Sequence, residues 1–282
     1  MAKRKLKWNE DKRQEFVHEG RGNGIGANYK PWLNIQDFPS MGRVSRIFGW
    51  KTRRIHHLFT DIQTRYFYLL EWEDSVLDIR EHFPLLDIDE VIKEKDDLDF
   101  ALFTDKESKT PYVISTTFLI TIKDSNGVRY FARSIKAQSE LERNKSLQKM
   151  EIERRYWEAK GIDWGIVTQK DIPIVMARNI EWVHSSLFDY KERGFSDKDM
   201  QFMSNTLIDM IVRKNTTVRE IISDFDKVYN YGAGTGLYVF KYLIATKRIE
   251  VDMTKEININ DLVISYKEKG TSKEGGGIIA IS

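Results

Sequence analysis

The sequence contains no cysteine. That absence removes disulfides, thiolate zinc sites and a cysteine nucleophile, so any metal must be held by oxygen or by the five histidines. Proline is scarce, with five in 282 residues, which leaves most of the chain free to form regular structure. Long apolar runs are also missing, and nothing approaches the roughly 20 residues that cross a bilayer. The opening "MAKRKLKWNEDKR" has basic residues with no apolar segment behind them, so the reading is a cytoplasmic protein without membrane contact. At 282 residues, what remains is length enough for two globular domains.

Net charge is only +2, but it is unevenly placed. Residues 1–60 hold thirteen Lys or Arg against five acids, a local balance of +8 that attracts a phosphate backbone. Within it, Arg43, Arg46, Lys51, Arg53 and Arg54 alternate with Val44, Ile47, Phe48 and Trp50 and are the candidate DNA contacts. The stretch "LDIDEVIKEKDDLD", residues 86–99, is acidic and reads as a solvated surface. His56 and His57 are adjacent, so on a strand they face opposite ways and do not pair on a metal.

Periodicity and turn chemistry suggest the element order. Residues 9–19 read as a short helix opened by Asn9, and three glycines at 22, 24 and 26 mark an irregular loop. No strand precedes those glycines and Pro31 follows, so they are not a dinucleotide fingerprint. A helix begins near Thr60, with Gln63 at capping-box spacing and Ile62, Tyr66, Leu69 and Leu70 on one face. Residues 76–83 alternate as a strand ended by Pro84. Two apolar runs, 114–122 and 128–135, flank the turn Asp124–Gly127 and deliver Lys136 at the end of the second strand. Ser139 with Glu142 predicts the start of a long charged helix that Gly161 closes, and "WGIVT" at 164–168 reads as a short buried strand. Trp72, Trp157, Trp164 and Trp182 are assigned to the core.

The remainder changes character. Helices are expected over 197–213, 217–229 and 235–246, followed by strands near 248–252 and 262–266 and a glycine-rich tail from Gly270. Three helices and a ribbon follow the order of a winged helix. The expected fold is thus α/β, with a mixed-sheet domain over 1–170 and a winged-helix-like α+β domain over 171–282.

Several collinear stretches add a family resemblance: "EGRGNGIGANYKPWL" (19–33), "FPSMGRVSRI" (38–47), "KTRRIHHLFTD" (51–61), "LEWEDSVLDIREHFPLL" (70–86), "ERRYWEAKGIDW" (153–164) and "NIEWV" (179–183). Together they resemble TnsA, the endonuclease subunit of heteromeric cut-and-paste transposons. The resemblance implies a restriction-endonuclease-like core that cuts the 5′ ends of the transposon. It also implies a TnsB-like transposase partner that cuts and joins the 3′ ends, a TnsC-like AAA+ ATPase bound by the C-terminal domain, and Mg²⁺ or Mn²⁺ as cofactor. The family site has a Glu on the first core helix, an Asp on the first hairpin strand and Gln-x-Lys on the next. These positions hold Gln63, Thr117, Ser134 and Lys136, and Glu153 matches a family acid on the long helix. Only the lysine of the hairpin agrees. Two readings follow, a magnesium-dependent endonuclease and a metal-ligand-deficient scaffold that binds DNA and the same partners.

Overall fold

The computed structural model describes residues 7–37 and 43–262, together with the backbone of 267 and 268. The chain divides into two compact units between Ile172 and Pro173.

In the first unit, helix α1 (Glu10–His18) starts where Asn9 Oδ1 accepts the Lys12 N–H at 2.9 Å. The loop behind it needs its glycines for steric reasons. Gly24 has φ +92°, and a Cβ there would lie 2.3 Å from the Asn28 carbonyl oxygen. Strands β1 (Ser45–Phe48) and β2 (Ile55–Leu58) form an antiparallel hairpin that sets Arg46 opposite His57 and Ile47 opposite His56. Helix α2 (Asp61–Trp72) is capped by Thr60, whose Oγ1 accepts the Gln63 N–H at 3.2 Å. The reciprocal half of the expected capping box differs, because Gln63 Oε1 takes the Phe59 N–H at 2.8 Å rather than that of Thr60.

Strand β3 (Val76–Pro84), the short helix α3 (Ile88–Val91), strands β4 (Ser115–Asp124) and β5 (Gly127–Ile135), helix α4 (Asn144–Ala159) and strand β6 (Asp163–Val167) complete the unit. The sheet order is β3-β4-β5-β6. Its first two pairs are antiparallel, while α4 carries the chain across to a parallel β5–β6 pair, so the sheet is mixed as the sequence suggests. Leu119 and Ala132 of the sheet cluster with Ile152, Tyr156 and Trp157 of α4. Burying a side chain the size of Leu119 or Ile152 contributes about 1.5–3 kcal/mol. Tyr66 of α2 packs against Phe118 of β4, with ring centroids 5.9 Å apart.

Three expectations change here. Helix α4 begins at Asn144, not at Ser139, because the chain first makes a 3-10 turn over Gln138–Glu140, in which Glu140 Oε2 accepts the Ala137 N–H at 3.0 Å. Strand β6 is half-exposed rather than buried, since it is the sheet edge. Of the four tryptophans assigned to the core, Trp157 is fully buried and Trp72, Trp164 and Trp182 are half-buried. Gly161, with φ +67° just past α4, ends that helix as expected.

The second unit opens with a helix the sequence reading did not contain, α5 (Ile174–His184), set behind Pro173. Helices α6 (Asp197–Arg213), α7 (Val218–Val228) and α8 (Thr235–Ala245) follow close to their expected bounds. Ser196 with Asp199, and Thr217 with Glu220, form reciprocal caps. Leu207, Phe225, Val239 and Leu243 are fully buried in this unit. Strand β7 (Ile249–Glu250) pairs antiparallel with β8 (Lys267–Glu268). Most of the second strand expected at 262–266, and the tail from Gly270, lie outside the described residues. Among the described residues, no helix is long and apolar enough to cross a membrane.

Candidate active site

Where β4 starts and β5 ends, the sheet opens onto a cavity of about 220 Å³. Gln63 reaches it from the first turn of α2, Thr117 from β4, Lys136 from the end of β5 and Lys149 from α4, with His82 of β3 and Glu140 completing the polar lining. Local structure explains the convergence. Thr60 ends the approach to α2 and fixes Gln63 in its first turn. The β4–β5 ladder runs up to the pair Phe118 and Arg133. Beyond it, Thr117 Oγ1 accepts the Ile135 N–H at 3.1 Å, so a side chain takes the place of a ladder bond and the strands part there. Lys136 follows directly, its backbone N–H held by the Val167 carbonyl at 3.0 Å.

Ser134 and Glu153 do not line the cavity. Both are buried, and the Ser134 hydroxyl donates to Glu153 Oε2. The other carboxylate oxygen, Oε1, has no hydrogen-bond partner among the described residues and lies 3.4 Å from Lys149 Nζ. Lys149 also donates to the Ser115 carbonyl at 2.8 Å. Burial and the nearby Lys149 ammonium push the Lys136 pKa down. His82 is more strongly affected. Burial lowers its pKa from 6.5 to about 4, and its neutral ring donates from Nε2 to the His57 carbonyl at 2.9 Å.

A hard divalent cation needs several oxygen ligands with negative charge among them. The donors present do not fit. Gln63 Oε1 is engaged by the Phe59 N–H and Thr117 Oγ1 by the Ile135 N–H, while Ser134 gives its proton to Glu153. Neither Gln63 nor Thr117 carries charge. Of the two nearby carboxylates, Glu140 holds the Ala137 N–H and Glu153 is fully buried against Ser134 and Lys149. No other acid substitutes for them. Asp61 is exposed and lies 3.7 Å from Arg43, Glu71 accepts the Trp50 N–H, and Asp124 pairs with Arg129 in the hairpin turn. None of these three lines the cavity. Among the described residues, no three His, Asp or Glu side chains gather as a metal cage.

Comparison with known proteins identifies the scaffold around this pocket. Residues 73–169 match the family described as TnsA-like endonuclease N terminal, and residues 171–253 match TnsA endonuclease C terminal. The transposon Tn7 transposition protein TnsA of Escherichia coli is 35% identical over 268 residues, which cover 94% of this chain and 95% of that protein. The chain belongs to the TnsA endonuclease family. Membership implies a divalent metal.

The basic hairpin divides into two kinds of arginine. Arg43, Arg46 and Arg53 are exposed, and Lys51 is half-buried. Arg54, a DNA-contact candidate by sequence, faces inward instead. It is 9% exposed and forks onto Glu81, with Nη1 to Oε1 at 2.7 Å and Nη2 to Oε2 at 2.5 Å. Position along the chain could not reveal this, because its partner is 27 residues away. Lys149, Glu140 and His82 are the pocket residues that sequence reasoning missed. For Lys149 a signal existed, since it sits one helical turn before Glu153 at i,i+4 spacing.

Proposed function

We propose that this TnsA-family chain is a metal-ligand-deficient subunit of a cytoplasmic transposase assembly, binding transposon-end DNA and docking with a TnsB-like transposase and a TnsC-like ATPase without itself cutting strands through Mg²⁺. One observation carries this reading: at the two positions where the family resemblance expects carboxylates stand Gln63 and Thr117, each with its side-chain oxygen already accepting a backbone N–H. The cofactor the family resemblance implies, Mg²⁺ or Mn²⁺, would meet neutral, committed oxygens there, and Mg²⁺ surrenders its water reluctantly. The basic N-terminal segment supplies the DNA contacts, with Arg43, Arg46 and Arg53 on its exposed side.

Lys136 in the cavity favours the rival reading of a working endonuclease, because a lysine there can stabilise charge on a scissile phosphate. Strand cleavage separates the two. With TnsB- and TnsC-type partners and transposon-end DNA, the parent chain should leave the 5′ ends intact, whereas Gln63→Glu/Thr117→Asp should cut them in Mg²⁺ and stop cutting when Lys136→Met is added. Efficient Mg²⁺-dependent cleavage by the parent would overturn the proposal.

A further inference from the structure

Glu153 is a carboxylate with no exposure, and an ionised carboxylate in such a place needs a cation beside it. In a metal-bearing pocket a divalent ion meets that need. Here the only cationic group within ion-pair distance of Glu153 among the described residues is Lys149 Nζ, at 3.4 Å from Oε1. The same ammonium reaches 2.8 Å from the Ser115 carbonyl, so it bridges α4 and the start of β4 through two oxygens, as a bound cation would.

The second observation is Lys136. Its side chain lines the same cavity, yet it makes no ion pair and no side-chain hydrogen bond among the described residues. Glu140, the acid in the cavity lining, spends one oxygen on the Ala137 N–H. A half-buried ammonium facing a cavity, without a partner among the described residues and near a buried acid already paired with Lys149, is a site for an anion.

We propose that Lys149 takes the electrostatic place of the divalent cation in this pocket, so that Lys136 can bind a DNA phosphodiester without metal. The inference rests on the metal-deficient reading and adds to it a positive role for the pocket. In that arrangement Lys149 is a positioning residue, and Lys136 is the group that touches the phosphate.

The test uses the full chain and a short DNA duplex, read by fluorescence anisotropy across a salt series in EDTA and again in Mg²⁺. At matched ionic strength, Mg²⁺ should not raise parent affinity above its value in EDTA. Lys136→Met should lower the slope of log K against log salt by about one, the signature of one lost phosphate contact. Lys149→Met should weaken binding several-fold in EDTA, and Lys149→Arg, which keeps the charge, should restore it. If Lys136→Met and Lys149→Met both bind as the parent does with an unchanged slope, the inference is wrong while the metal-deficient reading stands. Should Lys149→Met fail to fold by circular dichroism, an unchanged slope in Lys136→Met alone overturns it. Calorimetric uptake of Mg²⁺ by the parent would be a different failure, because it would remove the metal-deficient reading itself.

Discussion

Two glutamates in the N-terminal unit, Glu81 and Glu153, have no solvent exposure, and their surroundings are opposites. Glu81 accepts four donors: both terminal nitrogens of Arg54, His56 Nδ1 at 2.8 Å and the His57 N–H at 3.2 Å. A carboxylate only accepts, so His56 carries a proton on Nδ1, and its Nε2 lies 2.6 Å from the Thr52 hydroxyl. Opposite charge and hydrogen bonds from His56 and Arg54 outweigh burial and hold the Glu81 pKa well below the carboxylate range. Among the described residues, Glu153 has one hydroxyl, one lysine at 3.4 Å and an oxygen with no hydrogen bond. Glu81 sits in a finished network that ties the basic hairpin to β3. Glu153 sits in a sparser one, tied to β5 through Ser134 and to Lys149 of its own helix.

Replacing each acid in turn breaks this contrast most sharply. Glu81→Gln leaves Arg54 buried without its counter-charge and should cost about 3–5 kcal/mol, the range for removing one member of a buried ion pair. In the same thermal or urea melts, Glu153→Gln should cost clearly less, because Lys149 is part-exposed and keeps the Ser115 carbonyl. Equal losses would show that the two acids do the same structural job.

The next effect is in pH, and it belongs to His82, which lies between the two networks. Its Nε2–H donates to the His57 carbonyl, and its side chain lines the cavity. In the unfolded chain this histidine protonates as pH falls through about 6.5, whereas in the folded chain it resists until about 4. Its share of stability is therefore complete above pH 6.5 and is lost progressively as pH falls toward 4. A difference of that size is worth about 3 kcal/mol. Urea midpoints between pH 7 and pH 4.5 should fall in the parent and stay flatter in His82→Gln, while the Glu81 contribution fades only at lower pH, below 4.5.

Much of the scaffold was legible because its signals are local. Thr60, Ser196 and Thr217 each cap the helix they precede, the Asp124–Gly127 turn closes the hairpin, and Gly161 ends α4. The mixed sheet and three C-terminal helices followed from periodicity, and the family positions Gln63, Thr117 and Lys136 converge on one cavity. What was illegible depends on partners distant in sequence. Arg54 reads as a surface cation until Glu81 is placed beside it, and Ser134 reads as a pocket residue until its hydroxyl is seen to donate to Glu153 of α4. The start of α4 was misplaced because Glu140 closes a 3-10 turn on Ala137, a local competitor that capping-box spacing at Ser139 and Glu142 does not reveal.

The most direct measurement of the central claim is thermal stability with and without Mg²⁺, for the parent and for Gln63→Glu/Thr117→Asp. Restored carboxylates repel one another without metal and attract it when present. The double variant should therefore start less stable than the parent and gain by RT ln(1 + [Mg²⁺]/Kd), about 2.7 kcal/mol at a hundredfold excess over Kd. The parent should not move. A parent that Mg²⁺ stabilises as much as it does the double variant would contradict the claim that its pocket has lost the metal.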